Sequence, residues 1–267
     1  MTGDMNILLS ARDISFAYDR QAILQGVSLT VEAGEFVGLI GANGSGKTTL
    51  LRILLGLLPI GEGEVRVCDT PLHSINRREI ATRATMVQQD TRIDFAFTAR
   101  EVVAMGRTPY LGRFTPEQPA DLDAISRAMH KTETDVFALR SVIELSGGER
   151  QRVHLARAIA QETRIILLDE PTANLDLTHQ FEALQLVKEF TGAGGAALAA
   201  IHDVSLAARF CDRLLLLSHG QIVASGPPAE VITEANLLRH FALRARVRRD
   251  EENQSLMIYP LGPNRGK

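Results

Sequence analysis

One short loop constrains this chain more than anything else in it: Gly41-Ala42-Asn43-Gly44-Ser45-Gly46-Lys47-Thr48. It fills the pattern G-x-x-x-x-G-K-[ST] and lies between an apolar run, Phe36-Val37-Gly38-Leu39-Ile40, and a helical stretch, Thr49–Leu58. A buried strand, a tight glycine turn and a helix in that order imply an α/β sheet with a phosphate-binding loop. Gly41, Gly44 and Gly46 let the backbone turn sharply and aim successive N–H groups at phosphate oxygens. The helix behind the loop adds the positive end of its dipole. Lys47 is placed to reach the β- and γ-phosphates, and the Thr48 hydroxyl to ligate Mg²⁺. Gly41, Asn43, Gly44, Ser45, Gly46, Lys47, Thr48 and Thr49 are therefore the expected contacts to a nucleoside triphosphate.

The 267 residues suffice for one large α/β domain or a core with a subdomain. Ile7–Phe16 and Ala22–Val31 read as strands joined by a polar turn. Pro59–Glu64 reads as a loop before a short strand, Val65–Cys68. A helix follows over Ser74–Arg83 and a strand at Thr85–Val87. From Thr98 the pattern turns helical, with a capping box at Thr98 and Glu101 and another helix start at Thr115-Pro116-Glu117. Residues of about 90–145 thus form a helical insert. Beyond Gln161, strands at Ile165–Leu168, Ala196–Ile201, Leu214–Leu217 and Ile222–Ala224 alternate with helices at Thr178–Thr191 and Val204–Phe210. Near-continuous apolar strands alternating with helices imply a largely parallel sheet covered on both faces. After Arg244 a basic cluster and an acidic run suggest a solvated edge hairpin.

Composition narrows the class. Hydrophobic residues make up 45% and charged residues 23%, as in ordinary globular domains, and the net charge of -3 argues against a nucleic-acid partner. Cys68 and Cys211 are far apart and have no metal-ligand spacing, which favours a reducing compartment. No stretch approaches the roughly 20 consecutive apolar residues of a membrane span.

Two further motifs carry chemistry. Ile165-Ile166-Leu167-Leu168-Asp169-Glu170 puts two carboxylates at the end of a buried strand, where ligands of open α/β sheets sit. Asp169 can hold Mg²⁺ and Glu170 can take a proton from an attacking water. Leu145-Ser146-Gly147-Gly148-Glu149 opens a helix running to about Gln161, with Ser146 and Glu149 forming a capping box. Its paired glycines leave N–H groups bare, an anion site at a helix start. Two glycines in a first turn cost about 1 kcal/mol each, so something should compensate for them.

In this setting Leu145–Glu149 resembles the signature of the ATP-binding-cassette ATPases, and the other family motifs fall in order around it over about residues 6–235. The resemblance implies a P-loop NTPase core of α/β class with an N-terminal antiparallel β subdomain and a helical signature subdomain. The ATPase domain would span residues 6–241, its helical insert about 90–160, and a short extension 242–267. It implies a head-to-tail homodimer with ATP between one chain's phosphate loop and the other's Ser146, Gly147 and Gly148. By match, Tyr18 stacks on adenine, Gln89 senses Mg²⁺ and water with Gln88 as the alternative, and His202 contacts the γ-phosphate. Ala173–Asp176 resembles the loop communicating between the two sites, although serine is commoner at position 173. The other histidines (His73, His130, His154, His179, His219, His240) read as structural or solvated.

Without spans of its own, such a cassette resembles the energising subunit of a transporter. The resemblance implies two permease subunits, an indirect binding-protein partner outside the membrane, and a place on the membrane's cytoplasmic face. Glu101–Tyr110, with Gly106-Arg107-Thr108-Pro109-Tyr110, is similar to a segment of importers for ferric siderophores, haem and cobalamin. Importers of molybdate, tungstate or other solutes, exporters, and soluble non-transport cassettes are the alternatives.

Overall fold

The computed structural model describes residues 6–88, 95–112, 115–250 and 255–263. Two long strands, β1 (Ile7–Tyr18) and β2 (Gln21–Glu32), lead into the short buried β3 (Phe36–Ile40), which runs through the glycine loop into α1 (Lys47–Leu54). Then come β4 (Glu62–Val67), β5 (Thr70–Pro71), α2 (Arg77–Arg83) and β6 (Ala84–Val87). The insert holds α3 (Ala99–Ala104), α4 (Pro119–Lys131) and the start of α5 (Gly147–Ala160). Alternation resumes with β7 (Ile165–Asp169), α6 (Leu177–Gly192), β8 (Ala196–Ala200), α7 (Val204–Phe210), β9 (Arg213–Ser218) and β10 (Gln221–Gly226). Two short helices, α8 (Pro228–Val231) and α9 (Glu234–Phe241), precede a terminal hairpin of β11 (Leu243–Arg249) and β12 (Leu256–Pro263).

The central sheet has the order β10-β9-β3-β8-β7-β6 and is parallel except for β10, which pairs antiparallel with β9 at one edge. A separate antiparallel sheet has the order β2-β1-β4-β5. The central strands read as unbroken apolar runs because alternate residues enter two different cores. Val37, Leu39, Ile165, Leu167 and Leu198 join α1 and the antiparallel sheet on one face. Phe36, Ile40, Ile166, Leu168, Ala197 and Ala199 meet residues of α6 and α7 on the other. Four residues of α1, Leu50, Leu51, Ile53 and Leu54, are fully buried and seat the glycine loop on the sheet. Truncating one of them to alanine costs about 2–5 kcal/mol.

The insert has its own core, in which Ala99, Val102, Val103, Ile125 and Met129 pack on Val153, Ala156 and Ala160 of α5. The opposite side of α5 gives Leu155 and Ala158 to the main core. One helix therefore belongs to both bodies.

Local expectations fail where tertiary pairing overrides composition. Glu62–Val67 is a strand rather than a loop followed by Val65–Cys68, because β1 pairs with it from Leu9 to Ser15. The first helix is Lys47–Leu54, not Thr49–Leu58, since its amides continue from the glycine turn. The fourth starts at Pro119 after Gln118 rather than at Pro116, and Pro119 takes the first helical position. Ser74–Arg83 divides into a 3₁₀ turn, Leu72–Ser74, and α2 capped by Asn76, whose side chain accepts from the Glu79 amide at 3.0 Å. The capping box at Thr98 is formed from both sides.

Candidate nucleotide site

Three adjacent strands, β3, β8 and β7, finish level, because Leu39 and Asp169 both register with Ala200. Each then delivers a different functional group: β3 the glycine loop, β8 His202, and β7 Asp169 with Glu170. The outcome is a cleft of about 490 Å³ lined by Asn43, Gly44, Ser45, Lys47, Thr48, Glu170, Ala173, Asn174 and His202. That is the crevice beyond the carboxyl ends of the strands where open α/β sheets bind ligands.

The loop's backbone depends on Gly46, whose φ of +106° and whose contact with Leu24 exclude a side chain. With Gly46 as N-cap, no side chain closes the first turn of α1. The Lys47 ammonium donates to the carbonyls of Gly41 at 2.8 Å and Ala42 at 3.3 Å, so it curls over the loop. The Thr48 hydroxyl donates to Asp169 Oδ1 at 2.9 Å, joining the loop to the end of β7. Glu170 has left-handed backbone (φ +49°), a strained conformation for a side-chain-bearing residue, and its amide extends the sheet ladder to Ala200 O at 3.0 Å. This one-residue turn is what points the chain from the sheet into the cleft wall.

Burial dominates the electrostatics. It pushes the Lys47 ammonium down, against the opposing pull of Glu170 and Asp169. It pushes the Asp169 carboxyl up, partly offset by the Thr48 hydrogen bond, and Glu170 adds to the rise. Both groups thus favour counter-charges that the cleft would receive from a polyphosphate and a divalent cation. Mg²⁺ fits the donor set, because Thr48 and Asp169 offer the hard oxygens it prefers. The Ser45 hydroxyl, buried in the loop, has no hydrogen-bond partner among the described residues, as expected of a donor for a phosphate oxygen. Gln89 lies outside the described residues.

Other expected residues stand apart from this cleft. Tyr18, at the end of β1, is 46% exposed and meets Phe16 edge-on at 4.9 Å between ring centroids. Ser146, Gly147 and Gly148 do not line it. They open α5, where the Ser146 hydroxyl accepts from the Glu149 amide at 3.2 Å and Glu149 accepts from the Ser146 amide at 2.8 Å. Those bonds hold the Glu149 carboxyl below the usual range, with help from Arg140. Gly106–Tyr110 forms a joint with a buried centre, while Thr108 and Tyr110 remain exposed. Arg107 is buried against Asp121 at 2.9 Å and Glu162 at 2.8 Å, with Tyr110 stacked 4.1 Å from its guanidinium.

One residue read from sequence as merely structural or solvated has a more particular place. His179 sits under Gly148 and binds Asp176, an arrangement signalled only by the i,i+3 spacing of Asp176 and His179 at a helix start. Among the described residues no helix is long and apolar enough to cross a membrane.

Comparison with known proteins agrees with this geometry. Residues 24–173 match the family model described as ABC transporter. The hemin import ATP-binding protein HmuV of Myxococcus xanthus is 43% identical over 90% of this chain and 91% of its own length. The cobalamin import ATP-binding protein BtuD of Halobacterium salinarum is 40% identical over 96% of this chain, which spans 64% of that relative's length. Among solved structures, a metal-chelate type ABC transporter in an inward-facing conformation superposes with a TM-score of 0.84 at 27% identity, covering 96% of this chain and 98% of that one. A bacterial ABC transporter cassette solved as a dimer gives 0.72 at 27% identity, over 82% of this chain and 98% of the cassette.

Proposed function

This chain belongs to the ABC transporter family, and from that premise we propose that it is the ATP-hydrolysing subunit of a membrane importer for metal chelates. Its cargo class is cobalamin, haem or a ferric siderophore. It works as a homodimer that sandwiches ATP, docked to two permease subunits on the cytoplasmic face of the membrane. A binding protein on the far side is an indirect partner, and nucleic acid has no part. Residues 6–241 are the ATPase body, with the insert at about 90–160, and 242–267 an extension. The observation that carries the cargo class is the 43% identity to a hemin import protein along nine-tenths of both chains.

The cleft residues supply the chemistry. Lys47 and the loop amides hold the β- and γ-phosphates, while Thr48 and Asp169 hold Mg²⁺, with Gln89 as a further ligand. When bound, the ion neutralises charge on the phosphate oxygens. Water attacks the γ-phosphorus, its proton passes to Glu170, and the bond to the β–γ bridging oxygen breaks to release ADP. His202 steadies the γ-phosphate from the middle strand. The hydroxyl of Ser146 and the amides of Gly147 and Gly148 from a second copy close the site over the same phosphate. Tyr18 holds the adenine ring by stacking.

Reconstitution with the cognate permease tests this reading. ATP turnover should rise when the binding protein is loaded with cobalamin, a haem or a ferric siderophore. Stimulation by molybdate or another non-chelate solute alone would assign the chain to a different importer class.

A further inference from the structure

The stretch leaving β7 carries Glu170 at one end and passes Ala173 and Asn174, which line the nucleotide cleft, before reaching Asp176. Asp176 caps α6. Its Oδ1 accepts the backbone amide of His179 at 3.0 Å and faces the ring Nδ1 at 2.8 Å. Those bonds hold the Asp176 carboxyl below its ordinary range, so it is ionised and can only accept. Nδ1 therefore carries the proton, and the ring's orientation is fixed.

The face of that ring lies against the start of α5. A Cβ added to Gly148 would stand 2.5 Å from Cδ2, 2.6 Å from Cγ and 2.8 Å from Nε2 of His179. Three ring atoms at such distances mean that the imidazole lies across the Gly148 Cα. At Gly147 an added Cβ would meet, among the described residues, only the Asn174 carbonyl at 3.7 Å and Leu175 at 4.0 Å. The two glycines thus differ: Gly148 is small to admit His179, whereas among the described residues nothing requires Gly147 to be small.

We propose that His179 is a positioning residue that locks the Ser146–Gly148 turn to the Ala173–Asp176 loop, so that engagement of the turn is transmitted along one short segment to Glu170. This rests on the ATPase reading above. The lock has two halves, the hydrogen bond to Asp176 and the ring face on Gly148, and both are needed. His179→Ala removes both, His179→Phe keeps only the flat ring, and His179→Asn keeps only a donor.

The test is steady-state ATP hydrolysis by the full chain assembled with its permease, alongside thermal unfolding and nucleotide binding. His179→Ala is expected to lower kcat roughly 10- to 100-fold with KM for ATP within about twofold, the signature of a misplaced group rather than lost binding. His179→Phe and His179→Asn should each fall between wild type and alanine. Asp176→Asn combined with His179→Ala should be no worse than the more damaging single change. A kcat for His179→Ala within about twofold of wild type overturns the proposal. So does a fall in kcat matched by loss of ATP binding or of folded protein, which would make His179 only a packing residue. Failure of the ATPase reading itself looks different: the wild-type assembly would then turn over no ATP.

Discussion

The glycine loop and the Ser146–Gly148 turn are both helix starts that can present bare amides to an anion, yet the rest of the chain treats them oppositely. The first is anchored in the main core, with buried α1 beneath it and Asp169, Glu170 and His202 converging from neighbouring strands. The second stands on the insert, capped by its own Glu149, with Ser146 and Gly147 exposed. One end has its chemistry gathered around it. The other has a prepared helix start and no chemistry of its own, which is how half of a shared site should look. If the site is shared as proposed, a family signature can be structurally complete in one chain and still await a second.

Removing charge from the first region should have the largest effect. Lys47→Ala should lower kcat/KM for ATP by roughly a hundred- to a thousandfold, read by phosphate release. Ser146→Arg should abolish turnover comparably while each chain still binds nucleotide through its own loop. Mixing the two variants should restore some activity, because one hybrid pairing rebuilds an intact composite site. Equal loss of nucleotide binding in both variants would erase the proposed distinction.

A smaller effect separates the regions by pH. Asp169 is pushed up by burial, so its contribution is fully present below the unfolded value and lost as pH rises through the folded one. Asp169→Asn should therefore stabilise the nucleotide-free protein at neutral pH while removing Mg²⁺-dependent turnover. The capping carboxylates Glu101 and Glu149 are held down, so their contribution is present above the unfolded value and lost as pH falls through the folded one. Calorimetry across the acid range should show the insert weakening first. Smallest of all, Thr98→Ala should cost the insert about 1 kcal/mol through its lost cap and leave kcat unchanged.

What the sequence made legible follows from how local each signal is. The glycine loop, the carboxylates after β7 and both capping boxes are written in contiguous residues, and the structure places them at strand ends and helix starts. Pairing is not local: Glu62–Val67 contains loop-like residues, and pairing with the distant β1 makes it a strand. At the start of α4, Asp121 accepts from the Gln118 amide at 2.9 Å, a cap that places Pro119 rather than Pro116 at the first helical position. His179 could not be recognised because its partner Gly148 is remote in sequence and the contact exists only once α5 lies over α6. Gly106–Tyr110 drew attention by resemblance, and the fold gives it a structural task, tying the insert to the end of α5 through Arg107 and the Tyr110 hydroxyl, which donates to Gln161 O at 2.8 Å.

On this reading one chain holds half of each active site. Light scattering on Glu170→Gln, with and without ATP, measures whether ATP pairs two chains. A shift from the 29.2 kDa of one chain to about twice that mass is expected when ATP is added, with turnover abolished. The same shift should be lost when Ser146→Arg is introduced as well. A Glu170→Gln chain that binds ATP, stays single and hydrolyses it at the wild-type rate would contradict both the shared site and the role given to Glu170.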